Sequence, residues 1–377
     1  MAESPAPARL SLAGRPELRR YSRHLLIPEV GLAGQERLAA ARVLVVGAGG
    51  LGSPVLQYLS AAGVGRIGIV DDDVVDITNL QRQTIFATSD VGKRKATVAA
   101  EHVHAINPSI EIDAIPRRFD TSNAREFVRL YDIVVDCTDR FSTRYLINDA
   151  CVLEGKPDVY ASIFRFDGQV SIFNYSDGPC YRCLYPDAPP AGTVPTCAEG
   201  GVLGVLAGLV GTWQANEVLK LVLGIGEPLA GRLLLVESLG ARTREVRFER
   251  DPQCAVCSER ATIFDAVVTE FDEISDESDL APADLDDALA SATLLDVREP
   301  HEAVLGLVDG ALHIPASQLE ARLHELDSAR TYIVACRVGA KSLWAVRRLR
   351  DAGFTRIRHL QGGLLAYAAT RESFDFF

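Results

Sequence analysis

Basic residues are in short supply in this 377-residue sequence. Its 39 Lys and Arg stand against 51 Asp and Glu, leaving a formal net charge of −12. That balance excludes a general nucleic-acid binder, which needs a basic footprint to neutralise phosphates. The first twenty residues, MAESPAPARLSLAGRPELRR, lack the apolar core of a secretion signal, so a cytoplasmic location is the expectation. A membrane span is lacking too. The most apolar stretch, GGVLGVLAGLVGTWQANEVLKLVLGIG at 200–226, is interrupted by Gln214, Asn216, Glu217 and Lys220. No uninterrupted part of it is long enough to cross a bilayer, and it reads as a buried helix. Internal repeats are absent as well. With 47% apolar and 24% charged residues a sizeable core is available, and the length suits two or three domains.

The segment ARVLVVGAGGLGSPVLQYLSAAGVGRIGIVDDD reads strand, glycine turn, helix, strand. RVLVV and RIGIV are continuous apolar runs, as parallel strands buried on both faces require. SPVLQYLSAAG is helical and Gly63 is its stop. A helix over 93–106 and a strand in YDIVVDCTD continue the alternation, which defines a doubly wound α/β domain with a Rossmann-like sheet. ASIFRFDGQVSIFNY then predicts two strands joined by an Asp-Gly turn at Asp167–Gly168, an antiparallel extension of that sheet. Beyond Cys257 the periodicity weakens. Nine acids and no Lys or Arg lie between Thr269 and Asp287, and the run reads as a solvated linker. A smaller α/β unit follows, with strands in ATLLDVRE and TYIVACR, a helix in KSLWAVRRLRDAG and a Gly-Gly turn at 362–363. The expected division is a tail over 1–14, a nucleotide-binding domain over 15–258, an acidic linker over 259–277 and a second domain over 278–377.

Gly47, Gly49 and Gly52 form G-x-G-x-x-G between strand and helix, where backbone can approach a phosphate and the helix N-terminus favours negative charge. Asp71 ends the next strand, placed to accept from ribose hydroxyls. This much fits NAD as well as ATP. DITNLQRQTIF then brings Asn79, Arg82 and Gln83, Lys95 comes thirteen residues after Arg82, and Asp139 follows the strand in DIVVDCTD. A triphosphate needs cations on its oxygens and a carboxylate for Mg²⁺, whereas hydride transfer has little use for them. The set points to ATP. A nicotinamide-dependent oxidoreductase and a non-catalytic docking scaffold are the rivals.

Eight cysteines without a secretion signal are more naturally thiols or metal ligands than disulfides. Cys180 and Cys183 form one Cys-x-x-Cys, and Cys254 and Cys257 another. Four thiolates suit tetrahedral Zn²⁺, and a full ligand set makes the site structural rather than catalytic. Cys197, in PPAGTVPTCAEGG, stands outside this set on a loop. In the second domain CRVGAKS, 336–342, joins a strand to a helix. Such a loop wraps backbone N–H groups around the Cys336 sulfur, and Arg337, Lys341 and the helix N-terminus add positive potential, all favouring thiolate. The same cradle could hold a phosphate, as in cysteine-dependent phosphatases.

GAGGLGS, NLQRQ, VGKRKA, DCTD and VPTCAEGGVLG resemble the MoeB/ThiF family, bacterial relatives of ubiquitin-activating enzymes, over about residues 15–258. The resemblance implies that Gly50, Asp71, Asn79, Arg82, Lys95 and Asp139 contact ATP or its Mg²⁺, with Thr78, Leu80, Gln81 and Arg140 in the same surface. Arg140 departs from the usual Asn of the family. Arg23, in RYSRHLLIPEVG, is implied to reach the neighbouring protomer's phosphates in a homodimer. The family adenylates the terminal glycine of a small ubiquitin-like sulfur carrier ending in Gly-Gly, chemistry that needs positioning and charge neutralisation more than a protein nucleophile. Cys197 matches the family's loop cysteine over the adenylate. LLDVREPHE, GALHIP, CRVGAKS and LQGGLLAY resemble a rhodanese domain over 278–377. By that resemblance Cys336 carries a persulfide within a loop formed by Arg337, Gly339, Lys341 and Ser342. Lys341 replaces the usual second Arg, keeping the charge but losing the planar fork. Asp296, Arg298 and His313 are expected to support structure. The fusion resembles the adenylyltransferase/sulfurtransferase type, supplied with sulfur by a donor such as a cysteine desulfurase.

Overall fold

A computed structural model describes residues 16–189, 201–266, 278–304 and 306–371. Cys197, the tail over 1–14 and the linker part over 267–277 lie outside the described residues. The chain divides into two compact units.

The first unit opens with α1 (Ser22–Leu25), α2 (Gly31–Ala40), β1 (Arg42–Val46), α3 (Gly52–Ala62) and β2 (Arg66–Val70). It continues through α4 (Lys95–Ile106), β3 (Glu111–Ile115), α5 (Ala124–Arg129), β4 (Ile133–Asp136) and α6 (Phe141–Leu153). The remaining elements are β5 (Asp158–Phe164), β6 (Asp167–Phe173), α7 (Tyr181–Leu184), α8 (Gly204–Leu223), β7 (Arg232–Glu237) and β8 (Arg242–Arg247). Eight strands form one sheet in the order β3-β2-β1-β4-β5-β6-β7-β8. The first five are parallel and β6 to β8 are antiparallel.

The apolar runs are buried as their composition requires. Val43, Leu44, Val45 and Val46 of β1 are all inaccessible, and Leu44 and Val46 share a core with Val134, Phe127 and Leu146. Each such side chain contributes roughly 1.5–3 kcal/mol relative to exposure. The α3 helix stops at Gly63, whose φ of 82° is the left-handed conformation glycine adopts without a Cβ penalty.

The hairpin between β5 and β6 turns two residues earlier than the Asp-Gly pair suggests. Phe164 pairs with Asp167, so Arg165 and Phe166 form the turn, with Arg165 at φ 53°. Gly168 serves a different purpose. A Cβ there would lie 2.4 Å from Val210 Cγ2, so the missing side chain lets α8 lie close on the sheet.

The α8 helix is buried on one face only, not all round as its composition suggests. Leu206, Val210, Gln214, Glu217 and Val218 face inward, while Val205, Leu209 and Trp213 are exposed. The polar interruptions are satisfied inside: Gln214 Nε2 donates to the carbonyls of Asp136 (2.7 Å) and Val159 (3.0 Å), and Glu217 accepts from Leu229 N at 2.9 Å. Among the described residues no helix is long and apolar enough to cross a membrane.

The second unit contains β9 (Asp279–Leu280), α9 (Leu285–Leu289), β10 (Thr293–Asp296), α10 (Pro300–Ala303) and β11 (Leu312–His313). It ends with α11 (Leu319–Arg322), β12 (Tyr332–Ala335), α12 (Ala340–Asp351), β13 (Ile357–Leu360) and α13 (Gly363–Ala368). Its five parallel strands run β11-β10-β12-β13-β9. Alternate residues enter separate cores: Leu295 and Val334 join Val346 and Leu349 of α12, while Leu294 and Ile333 join Leu285 and Leu364.

Candidate functional site

The glycine turn divides into two pairs with different duties. Gly47 leaves β1 at φ 96°, and a Cβ there would stand 2.8 Å from Cys137 O. A Cβ on Gly52 would stand 2.1 Å from Gly47 O. These two let the backbone close on itself. Gly49 and Gly50 form the open side: a Cβ on Gly49 would meet only Gln83 Nε2, at 3.5 Å, and one on Gly50 would meet Ala207 Cβ at 3.1 Å. Both are partly exposed at the head of the eleven-residue α3 helix, where N–H groups and the helix dipole favour an anion.

Asp71 ties the turn to the end of β2. Its Oδ2 accepts from Ala48 N at 2.8 Å and its Oδ1 from Asp73 N at 2.9 Å. Burial holds its carboxyl above the ordinary range, against the opposing pull of Lys95. Lys95 is itself buried, with Nζ 3.0 Å from Asp73 Oδ2. Asp73 escaped the sequence reading, although the acidic triplet 71–73 was its signal. Thr78 is capped by Asp76 Oδ1, 2.8 Å from its N, and Asn79 N bonds Asp76 O at 3.0 Å. Arg82 Nη1 donates to Thr78 O at 3.1 Å, and its Cγ would be 3.5 Å from a Cβ on Gly50. Asn79, Leu80 and Arg82 are half-buried and Gln81 is exposed, its carbonyl close against Gly204 of α8. Thus Gly49, Gly50, Asp71, Arg82 and Lys95 are drawn to the turn and its rim.

Asp139 and Arg140 are exposed just ahead of α6. The loop carrying them is shaped from below by Asp136, whose Oδ1 accepts from Thr138 N (2.9 Å) and Oγ1 (2.7 Å). Arg144 lies buried beneath it and donates to Thr138 O at 3.1 Å. Asp158, one strand over, is also fully buried. Burial first, and the nearby Asp136 charge second, push its carboxyl well above the usual range, which favours the protonated form. Arg23 is exposed on α1, with Leu26 and Ile27 exposed beyond it. Beside the NLQRQ segment, a groove of about 790 Å³ is lined by Gln81, Arg82, Val205, Leu209, Trp213 and Asn216.

The four Cys-x-x-Cys sulfurs come together. Cys180 Sγ lies 3.8 Å from Cys183 and 3.5 Å from Cys254, and Cys183 lies 3.4 Å from Cys257. Four sulfurs at about 2.3 Å from a tetrahedral Zn²⁺ would be separated by about 3.8 Å, so the donor set and its dimensions fit zinc. Val152, Val256 and Ile263 enclose the cluster. Hydrogen bonding from Cys180 lowers the Cys254 and Cys257 thiols, which favours the thiolate form a metal requires. Cys180, Cys183, Cys254 and Cys257 would hold the ion with no position left for substrate, which makes its contribution structural.

In the second unit Cys336 follows β12 and is buried. Its Sγ accepts from Gly339 N at 3.2 Å and from Ser342 Oγ at 3.5 Å. These donors favour thiolate as the loop composition suggested, but burial outweighs them and raises the thiol above its ordinary range. The expected positive potential is also reduced. Lys341 Nζ is 2.6 Å from Glu302 Oε2, so its charge is spent on α10. Asp296 and Arg298 form a buried pair at 2.7 Å, and His313 Nε2 donates to Arg298 O at 2.7 Å, which places all three in the scaffold around the loop. Asp279 and His359, absent from the sequence reading, meet at 2.7 Å, and His359 Nε2 reaches Gly339 O at 2.9 Å.

A mixed sheet whose parallel half carries a glycine cradle, an acid at the end of β2 and cations on its rim, followed by a buried loop cysteine, defines a nucleotide-using enzyme joined to a thiol domain. Residues 21–256 match the ThiF family and residues 281–370 match the rhodanese-like domain. The chain belongs to the ThiF family and carries a C-terminal rhodanese domain; it is an adenylyltransferase and a sulfurtransferase. It is 45% identical over 371 residues to "Probable adenylyltransferase/sulfurtransferase MoeZ" of Mycobacterium tuberculosis, covering 95% of this chain and 94% of the relative. It is 42% identical over 404 residues to "Adenylyltransferase and sulfurtransferase MOCS3" of Bos taurus, covering 97% and 88%. The "Sulfur carrier protein adenylyltransferase" of Thermus thermophilus is 54% identical over 251 residues, covering 65% of this chain and 93% of that one. Among solved structures, Escherichia coli MccB shares the fold with a TM-score of 0.57 at 23% identity, over 65% of this chain and 73% of that one. The ThiF family uses ATP, which decides between the two nucleotides that the turn admits.

Proposed function

We propose that this chain adenylates the C-terminal glycine of a ubiquitin-like sulfur carrier and then delivers sulfur to it from a persulfide on Cys336. The observation that carries the reading is the open cradle at Gly49–Gly50 with Asp71, Arg82 and Lys95 at its rim, on one chain with a cysteine held under Gly339 N–H. ATP phosphates lie over the cradle, the ribose meets Asp71, and Asn79, Arg82 and Lys95 offset the phosphate charge. Asp139 would hold Mg²⁺, which supplies charge neutralisation on the phosphates. A carrier carboxylate oxygen attacks the α-phosphorus and pyrophosphate leaves. The terminal sulfur of the Cys336 persulfide attacks the acyl carbon and AMP leaves, giving an acyl disulfide. A second thiol, Cys197, attacks Cys336 Sγ, releasing the carrier thiocarboxylate and leaving a disulfide that an external thiol reductant resets. A cysteine desulfurase is the donor class that loads Cys336.

Two further elements belong to this reading. The exposed apolar residues Val205, Leu209 and Trp213 beside Arg82 support a homodimer in which Arg23 reaches the partner's nucleotide. Of the expected linker over 259–277, Ile263 and Ala266 pack into the first unit, so the acidic tether of this reading begins beyond Ala266, and its length and stiffness set the effective concentration of Cys336 at the adenylate. Molybdopterin, thiamine, cysteine and tRNA-thiolation pathways all use carriers of this chemistry.

The test is ATP–pyrophosphate exchange with Gly-Gly carriers, followed by mass spectrometry of the carrier. The Cys336→Ala variant is expected to retain exchange and lose thiocarboxylate formation under limiting donor. Undiminished thiocarboxylate from that variant refutes the role of Cys336. Absence of exchange with every carrier refutes the whole reading.

A further inference from the structure

We propose that His359, braced by Asp279, is a positioning residue for the Cys336 sulfur: it holds the Gly339 carbonyl and, through the backbone angles of that residue, the N–H on the other side of its Cα that points at Sγ. This rests on the reading of Cys336 as the sulfur-bearing residue.

The contacts form one chain across three elements. Gly339 N donates to Cys336 Sγ at 3.2 Å. The carbonyl of the same residue accepts three bonds: from Ser342 Oγ at 2.9 Å, from Leu343 N at 3.0 Å, and from His359 Nε2 at 2.9 Å. Ser342 and Leu343 belong to α12 and move with the loop's own helix. His359 sits on β13 and is the donor that ties this carbonyl to the sheet. Its Nδ1 lies 2.7 Å from Asp279 Oδ1 on β9. A peptide oxygen only accepts, so Nε2 must carry a hydrogen, and ring and carboxylate hold the second proton between them.

Packing alone does not account for the residue. His359 is fully buried, in a position that an aromatic or aliphatic side chain could fill without the cost of burying a polar ring. Gly339 is the part of the loop most in need of an anchor. Its φ of 101° is open to glycine and little else, and a Cβ there would stand 3.5 Å from His359 Nε2 and 3.4 Å from Gly362 N. The opening of the loop is clamped separately, by Leu364 N on Cys336 O (2.8 Å) and Leu365 N on Arg337 O (2.9 Å). His359 is therefore the sheet's hold on the far end. Orientation of a reactive group through a buried histidine fixed at its other nitrogen is the logic by which outer partners position ligands at metal sites.

The readout is the pH profile of Cys336 alkylation by iodoacetamide in the full chain, followed on the Cys336 peptide by mass spectrometry. The charged groups around the loop are Arg337 itself and the Lys341–Glu302, Arg298–Asp296 and His359–Asp279 pairs. In His359→Phe the Gly339 carbonyl loses its tie to the sheet, and the N–H of the same residue is held less firmly on the sulfur. Alkylation below the midpoint is expected to slow about fivefold, the equivalent of one hydrogen bond, with the midpoint displaced to higher pH. Asp279→Asn offers an amide N–H to Nδ1, which keeps the hydrogen of a neutral ring on Nε2, and is expected to follow the wild type, whereas Asp279→Leu follows His359→Phe. A folded His359→Phe with a superimposable profile overturns the proposal. Should that variant not fold, an Asp279→Leu profile identical to that of Asp279→Asn overturns it instead. Failure of the Cys336 reading shows separately, as full thiocarboxylate formation by Cys336→Ala.

Discussion

Exchanging Gly49 and Gly52 for alanine, one at a time, separates the chain's need to fold from its need to hold a phosphate. An added methyl at Gly52 stands 2.1 Å from Gly47 O, far inside contact distance, and backbone must move to admit it. Overpacking of this kind costs about 1–3 kcal/mol, or ~2–10 °C in Tm for a domain of this size. At Gly49 the methyl meets only the end of the Gln83 side chain, at 3.5 Å, an ordinary contact. Gly49→Ala is therefore expected to melt within ~1 °C of wild type. Its methyl occupies the open side of the turn, where a phosphate oxygen would otherwise approach the backbone N–H groups. Losing one hydrogen bond to a charged group costs about 1.5–3 kcal/mol, so kcat/KM for ATP should fall by about 10–150-fold. Calorimetry and pyrophosphate exchange measure the two quantities on the same preparations. Exchange by Gly49→Ala within about twofold of wild type would refute the placement of phosphate on this turn. A lower Tm for Gly49→Ala than for Gly52→Ala would refute the division of the glycines into structural and ligand-facing pairs.

Two further outcomes concern the interior of the first unit. Chelation of zinc, or Cys254→Ser, is expected to lower the melting transition of the first unit and leave that of the second in place; elemental analysis should find one zinc per chain, and a metal-free native protein of unchanged Tm would count against the site. Asp158 is held above its unfolded pKa of about 3.9, so the stability associated with its proton is complete below that pH and is lost as pH rises toward its folded value. Asp158→Asn removes the titration, and its Tm advantage should grow from pH 4 to pH 8; a constant offset across that range would show that Asp158 does not keep its proton.

Features set by local pattern were legible in the sequence. The apolar runs of β1 and β2, the stop at Gly63, the glycine turn and both Cys-x-x-Cys pairs follow from periodicity, conformational freedom and ligand chemistry, each contained in a short window. What escaped depends on distant partners. Asp167–Gly168 looks like a turn, yet Gly168 is required by Val210, over forty residues away, and the turn moves to Arg165–Phe166. The α8 helix looks buried because its apolar residues are counted without their faces. Lys341 reads as a charge for the sulfur until Glu302, thirty-nine residues earlier, is seen to hold it. His359 and Asp279 carried no signal: eighty residues separate them, and neither stands in a chemical motif.

Burial of Cys336 bears on which sulfur reacts. The loop donors favour a thiolate, but Cys336 is buried and burial raises its thiol above the ordinary range. A buried thiol is poorly placed to meet an acyl carbon on a protein-sized adenylate, because attack requires the reacting atoms to approach to about 3–3.5 Å. A persulfide changes the geometry without moving the backbone. In the proposed cycle its S–S bond, about 2.05 Å long, sets the reacting sulfur that much farther from the backbone than Sγ. In that cycle the bonds from Gly339 N–H and Ser342 Oγ to Sγ would steady the inner sulfur while the outer one reacts. In the proposed cycle a direct attack by Sγ would leave a thioester on Cys336 with no sulfur delivered, and the longer reach of the outer sulfur favours transfer over that side reaction.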